Sequence, residues 1–112
     1  MHPVLRAADT FIDNCRGLRS LGSAALMMAY VAAGRFAAFY EHELCAWDIA
    51  AGGLLVTEAG GLLTDMRGEP FSLLVRDPLV SCSPEIHAET LRLLKVAGAQ
   101  HADPVAMWPE CE

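Results

Sequence analysis

The chain predicts an α/β sandwich, because helical and extended segments alternate along its 112 residues in the order α-β-α-β-α-β-β-α. Two further observations support this class. The stretch WDIAAGGLLVTEAGG at residues 47–61 is an apolar run about one helix long, opened by a carboxylate and closed by a glycine pair. The last helical segment carries its start signals in full: Ser83 at the N-cap, Pro84 at the first helical position and Glu85 near the positive end of the dipole.

Each element follows from local chemistry. Leu5, Ala8, Phe11 and Ile12 recur at helical spacing until Asn14, Cys15, Arg16 and Gly17 break it, which predicts a short helix over 5–14. Residues 16–21 are brief and mixed and read as a strand. It leads to Gly22 and Ser23, where a second helix starts and runs through Ala33 to a terminating Gly34. Residues 35–41, RFAAFYE, are aromatic-rich between a glycine and a charged turn, so a strand is expected that delivers Glu41 to its C-terminal end. Only a short loop then precedes the helix that Asp48 opens, so Glu41 and Asp48 are expected to be neighbours. That helix carries Ile49, Leu54, Leu55, Val56 and Ala59 with alanine or glycine at most other places. With no wide polar face it is expected to be buried on nearly all sides, and Gly60 and Gly61 stop it. Residues 62–66 resume as a strand, 67–70 as a turn, 71–77 as an irregular connection and 78–82 as another strand, before the last helix runs to Gly98. Residues 100–112, with Pro104 and Pro109 and no apolar period, read as a loose tail to a single domain over 1–99.

The length allows one domain and is short for an enzyme with a two-sided cleft. Counting glycine, the apolar share is about 60%, against roughly 45–50% in ordinary soluble domains, so part of the surplus is expected to face a partner. Asp48, Glu58 and Arg35 interrupt the apolar runs before any reaches the ~20 residues of a bilayer span, so no membrane partner is expected. No secretory signal is visible, and the chain is read as cytoplasmic. Cys15, Cys45, Cys82 and Cys111 form no C-x-x-C pair, which argues against a zinc cluster or redox motif and for buried or idle thiols. A net charge of −6 without a basic run argues against nucleic acid. An acidic chain that handles phosphate needs a metal ion to mediate.

Asp48 is the sharpest candidate for chemistry, although a carboxylate at a helix start can equally be a cap. Glu41 and Glu43 bear on that choice, because gathered acids repel one another unless a cation joins them, and Mg²⁺ selects carboxylate oxygens. Glu43 by itself reads as a solvated loop residue. Gly22, Ser23 and Ala24 could leave backbone amides open to an anion or a hydroxylated ligand, or could simply pack an alanine-rich helix tightly. His42 lacks a nucleophile partner and reads as solvated, and His2, His87 and His101 look ordinary. Glu58 and Asp65 read as turn-completing residues, and no P-loop or dinucleotide fingerprint is present.

WDIAAGGLLVTEAGG resembles the C-terminal signature of the inositol monophosphatase family, W-D-x-A-A-G-x-L-L-V-x-E-A-G-G. LRSLGSAALMMAYVAAGRFAAFYE before it and LLTDMRGEPF after it resemble the family's flanking stretches, so the likeness covers roughly residues 11–96. The resemblance implies a layered α/β/α sandwich with a mixed sheet, corresponding to the C-terminal half of that fold. It also implies Mg²⁺-dependent hydrolysis of a phosphorylated small molecule and a common tendency to dimerise. By the same resemblance Asp48 is a metal ligand that also approaches substrate, Glu41 binds a sugar or inositol hydroxyl, and Gly22, Ser23 and Ala24 line the substrate site. The family's G-E-E and D-P-[IL]-D-G-T segments are not present, and Met27 stands where many bacterial relatives have an aspartate. The expectation is therefore the C-terminal half of such an enzyme, as a fragment, a truncated product or one piece of a split protein. It would be inactive without a complementary N-terminal half. The alternative is a non-catalytic interaction module that keeps the fold.

Overall fold

A computed structural model describes residues 2–42, 44–74 and 76–100; of the tail expected at 100–112 all but Gln100 lies outside the described residues, as does the loop residue Glu43. The elements run α1 (Pro3–Asn14), α2 (Ala24–Ala32), β1 (Ala38–Tyr40), α3 (Ala46–Glu58), β2 (Leu62–Asp65), β3 (Pro78–Ser81) and α4 (Pro84–Ala97). Strand β3 lies between β1 and β2, and all four of its residues are buried. Its alternating side chains divide the interior in two. Leu79 joins Ala7 and Phe11 of α1 and Leu93, Leu94 and Ala97 of α4, whereas Val80 joins Phe39 and the inner residues of α2 and α3. Two helices therefore cover each face, and the architecture is the expected three-layer α/β/α sandwich.

The sheet departs from the expected mixed arrangement. Both pairings are antiparallel, with Phe39 opposite Val80 on one side and Leu63 opposite Val80 on the other. The strand expected at 16–21 is not formed: those residues are exposed, no strand pairs with them, and the Arg19 guanidinium donates to the adjacent Leu18 carbonyl at 2.8 Å. Extended residues without a neighbour have no ladder to complete, and water satisfies their backbone instead.

Helix α3 corrects a second expectation. Ile49, Gly52, Gly53 and Val56 are buried, but Trp47, Leu54 and Leu55 are 57%, 60% and 51% exposed. A helix in an outer layer meets the sheet and its neighbour along one stripe only, whatever the composition of its other face. The inner stripe is tight. A Cβ on Gly52 would lie 2.7 Å from Met28 Cβ, so glycine is what lets α2 and α3 approach.

The punctuation is as the sequence predicts. Ser83 Oγ accepts from Ile86 N–H at 3.2 Å, and α4 ends on Gly98 in the left-handed conformation. Asp65 completes its turn by accepting from Arg67 N–H at 2.8 Å and Glu69 N–H at 3.0 Å. Of the two alternatives for the thiols, Cys15 and Cys82 take the idle one, being free and exposed.

His87 is not the ordinary residue its sequence context suggests. It is buried, with Nε2 2.8 Å from Thr64 Oγ1 and Nδ1 2.7 Å from Ser81 Oγ. The Thr64 hydroxyl donates to the Asp65 carbonyl at 2.7 Å, so it accepts from Nε2–H. The Ser81 hydroxyl then donates to Nδ1 in preference to the Ser83 carbonyl at 3.2 Å, and a neutral ring satisfies the network. Burial lowers the His87 pKa below its ordinary 6.5. Stability is then fully present above the unfolded pKa and is lost as pH falls from 6.5 through the folded value. The urea midpoint should fall between about pH 7.5 and about pH 5, and more steeply in the wild type than in His87→Gln. Equal slopes would refute this account of the ring.

Candidate active site

Strand β1 ends at Tyr40, which places Glu41 at the sheet margin, and the chain enters α3 five residues later at Ala46. The connection is pinned from both sides. Leu44 N–H donates to the Arg76 carbonyl at 2.9 Å, and Arg76 Nε donates back to the Leu44 carbonyl at 2.8 Å. His42 Nε2 lies 3.0 Å from the Ala99 carbonyl, and because a carbonyl only accepts, that nitrogen carries the proton. His42 is therefore a tether to the end of α4 rather than the solvated loop residue expected.

Asp48 turns back over the helix start. Its Oδ2 accepts from Cys45 N–H at 3.1 Å, and its own N–H donates to the Cys45 carbonyl at 2.9 Å. This is the capping role that one reading of the sequence assigns it. Oδ1 makes no hydrogen bond among the described residues, so one oxygen remains available.

Glu41 and Asp48 are brought together as expected. Partial desolvation raises the Glu41 pKa, the nearby charge of Asp48 raises it further, and His42 works in the opposite direction. Two like charges near the positive end of a helix form a place where a cation relieves repulsion. As a site for a hard divalent ion, however, the set is partial: no three His, Cys, Asp or Glu side chains converge among the described residues. Asp48 fits the role of one ligand through its spare oxygen, not the role of a whole shell.

Gly22, Ser23 and Ala24 stand at the start of α2. Gly22 has a φ of 76°, a conformation that favours glycine, and Ser23 Oγ accepts from Leu26 N–H at 3.2 Å as the N-cap. No hydrogen bond or ion pair among the described residues links these three to Glu41 or Asp48. Charge relates Glu41 to Asp48, whereas the polar contacts of Ser23 stay within the start of α2.

A cleft of about 980 Å³ opens beside β1, walled by α1, residues 17–20, β1 and α4, and Glu41 reaches it while Asp48 and Gly22, Ser23 and Ala24 do not. Sequence reasoning missed Arg76, which holds the loop between the two carboxylates. The available signal was a charged pair, Arg76 and Asp77, directly before the buried PLVS strand.

These features define a three-layer α/β/α domain that carries paired carboxylates where a strand end meets a helix start. The inositol monophosphatase family model matches residues 2–99, and the chain belongs to that family. It is 40% identical over 87 residues to inositol monophosphatase 1 of Sus scrofa, covering 78% of this chain and 31% of that protein. It is 45% identical over 87 residues to the Nus factor SuhB of Pasteurella multocida, covering 78% of this chain and 32% of that protein. Among solved structures, the inositol monophosphatase of Anabaena superposes with a TM-score of 0.80 at 29% identity, over 96% of this chain and 41% of that one. The chain spans about a third of the length of these curated relatives. Among the described residues no helix is long and apolar enough to cross a membrane.

Proposed function

We propose that this chain supplies one wall of the active site of a Mg²⁺-dependent phosphomonoesterase that hydrolyses a sugar or inositol phosphate monoester. The observation that carries this reading is the Glu41–Asp48 pair, held at the junction of β1 and α3 within a family match over residues 2–99. Asp48 would hold Mg²⁺ through the oxygen that Cys45 N–H leaves spare. Glu41 would bind a hydroxyl of the substrate alcohol, and the backbone at Gly22, Ser23 and Ala24 would face the same ligand. When bound, the metal supplies activation of the attacking water and stabilisation of the leaving oxygen. The chain's own residues orient the alcohol and keep the Asp48 carboxylate fixed against the helix start.

One carboxylate with a spare oxygen cannot complete a two-metal centre, so the 112-residue chain alone should give background turnover of inositol 1-phosphate and of an aryl phosphate in Mg²⁺. Turnover near that of an intact relative, abolished by Asp48→Asn, would sink this expectation. A second reading, a non-catalytic assembly module, draws support from the name Nus factor carried by a relative at 45% identity. It predicts that a complementary N-terminal half restores no phosphatase activity.

A further inference from the structure

We propose that Arg76 is a positioning residue for Asp48, and that it acts through the single peptide plane between Leu44 and Cys45. Both polar ends of that plane are bonded. Arg76 Nε donates to the Leu44 carbonyl at 2.8 Å, and the N–H of the same peptide, on Cys45, donates to Asp48 Oδ2 at 3.1 Å. A trans peptide is planar and directs its C=O and N–H oppositely, so fixing one end aims the other. The guanidinium therefore sets the direction from which Asp48 is held.

The helix itself does not fix this plane. Leu44 precedes the N-cap Cys45, so its carbonyl stands outside the α3 ladder, which opens with Asp48 N–H donating to the Cys45 carbonyl at 2.9 Å. The main chain of Arg76 adds a second grip, accepting from Leu44 N–H at 2.9 Å. Leu44 is thus held by one residue at both of its polar groups. It cannot turn about its backbone without breaking one of the two bonds.

Burial strengthens the relay. Arg76 is 5% exposed and Cys45 9%, and in such surroundings a charged donor on a peptide oxygen polarises the amide and strengthens the bond its N–H gives. The recipient is a carboxylate whose two oxygens are unlike. Oδ2 takes the Cys45 bond, and Oδ1 makes no hydrogen bond among the described residues. With the plane fixed the side chain keeps one rotamer, and Oδ1 keeps one direction. Its use toward a metal rests on the phosphatase reading, but the positioning does not.

The test compares Arg76→Gln with Arg76→Met by nuclear magnetic resonance on the 112-residue chain, without metal or substrate. Glutamine carries a neutral N–H donor at the side-chain position of Nε and methionine a methyl, so the pair differs in the donor and shares the loss of charge. Leu44 N–H is the internal reference, because its acceptor is the main chain of residue 76 and survives both changes. Amide exchange at Cys45 relative to Leu44 should quicken about 10-fold in Arg76→Met, the effect of one hydrogen bond to a charged group, and stay within about 3-fold of the wild type in Arg76→Gln. Asp48→Ala removes the acceptor and should quicken it at least as much as Arg76→Met. Asp48 Hα–Hβ couplings should report one rotamer in the wild type and averaging in Arg76→Met. A further measurement needs no variant: in the wild type, couplings across hydrogen bonds should join Arg76 Nε to the Leu44 carbonyl carbon and Cys45 N to Asp48 Cγ. Absence of either coupling, equal Cys45 exchange in the glutamine and methionine variants, or an Asp48 rotamer unmoved by methionine would overturn the proposal. In the assembly with a complementary N-terminal half, Arg76→Met should raise the Mg²⁺ concentration for half-maximal turnover by about 10-fold or more, as loss of an outer partner of a metal ligand does, and Arg76→Gln should recover it. A wild-type assembly without turnover would defeat the phosphatase reading alone, since the exchange and coupling results decide Arg76 without it.

Discussion

Gly61→Ala should destabilise the domain by about 3 kcal/mol, the upper part of the range for overpacking a filled interior. A Cβ built on Gly61 falls 2.5 Å from the Ser81 carbonyl oxygen and 2.8 Å from Val56 Cγ1. The first of these atoms is backbone and belongs to the central strand, so it cannot swing aside as a side chain could. Relief requires that β2 part from β3 or that the end of α3 tilt. The neighbouring Gly60 provides the control. Its φ is 87°, nothing lies within 4 Å of its Cβ position, and Gly60→Ala pays only the left-handed conformational cost of about 1–2 kcal/mol. For a domain of this size the Gly61 change corresponds to a fall of about 15 °C in Tm. Two thermal melts decide the matter, and equal shifts for the two alanine variants would show that close approach is not what the second glycine serves.

This glycine pair illustrates what was legible in the sequence and what was not. Helix ends could be read because they are local: Ser83, Gly98, Gly60 and the Asp65 turn act through atoms a few residues away. Pairing could not, because the direction and number of strands depend on neighbours distant in sequence. Residues 16–21 have a strand's composition, yet a strand without a partner is only exposed chain. The burial of α3 was misjudged for a related reason. Composition reports how apolar Trp47, Leu54 and Leu55 are, but only the layer arrangement decides which side of the helix meets the core. For the candidate site, proximity of Glu41 and Asp48 followed from the short loop between them. The reciprocal bonds between Arg76 and Leu44 joined residues 32 apart and left no periodic trace.

Asp48→Asn should separate the two roles of this carboxylate. In the structure its Oδ2 accepts from Cys45 N–H at 3.1 Å, a bond that an asparagine carbonyl oxygen can also make. Asn and Asp serve almost equally at helix starts, and replacement keeps an acceptor there, so the melting temperature should barely move. Metal ligation makes the opposite demand, because Mg²⁺ selects anionic oxygen and a neutral amide binds it poorly. Co-expression with a complementary N-terminal half from a relative should produce Mg²⁺-dependent turnover of inositol 1-phosphate. In that assembly Asp48→Asn should lower turnover at limiting Mg²⁺ by at least about 100-fold, the upper end of what losing even an outer-shell partner costs a metal site. Glu41→Gln is the comparison. It removes the charge that faces Asp48 but leaves Asp48 itself intact, so it should chiefly raise KM for the substrate alcohol while the metal requirement persists. Turnover measured against Mg²⁺ for the wild type and both variants, with melting curves as controls, resolves the roles. Identical Mg²⁺ dependence in wild type and Asp48→Asn would leave Asp48 as a cap and nothing more.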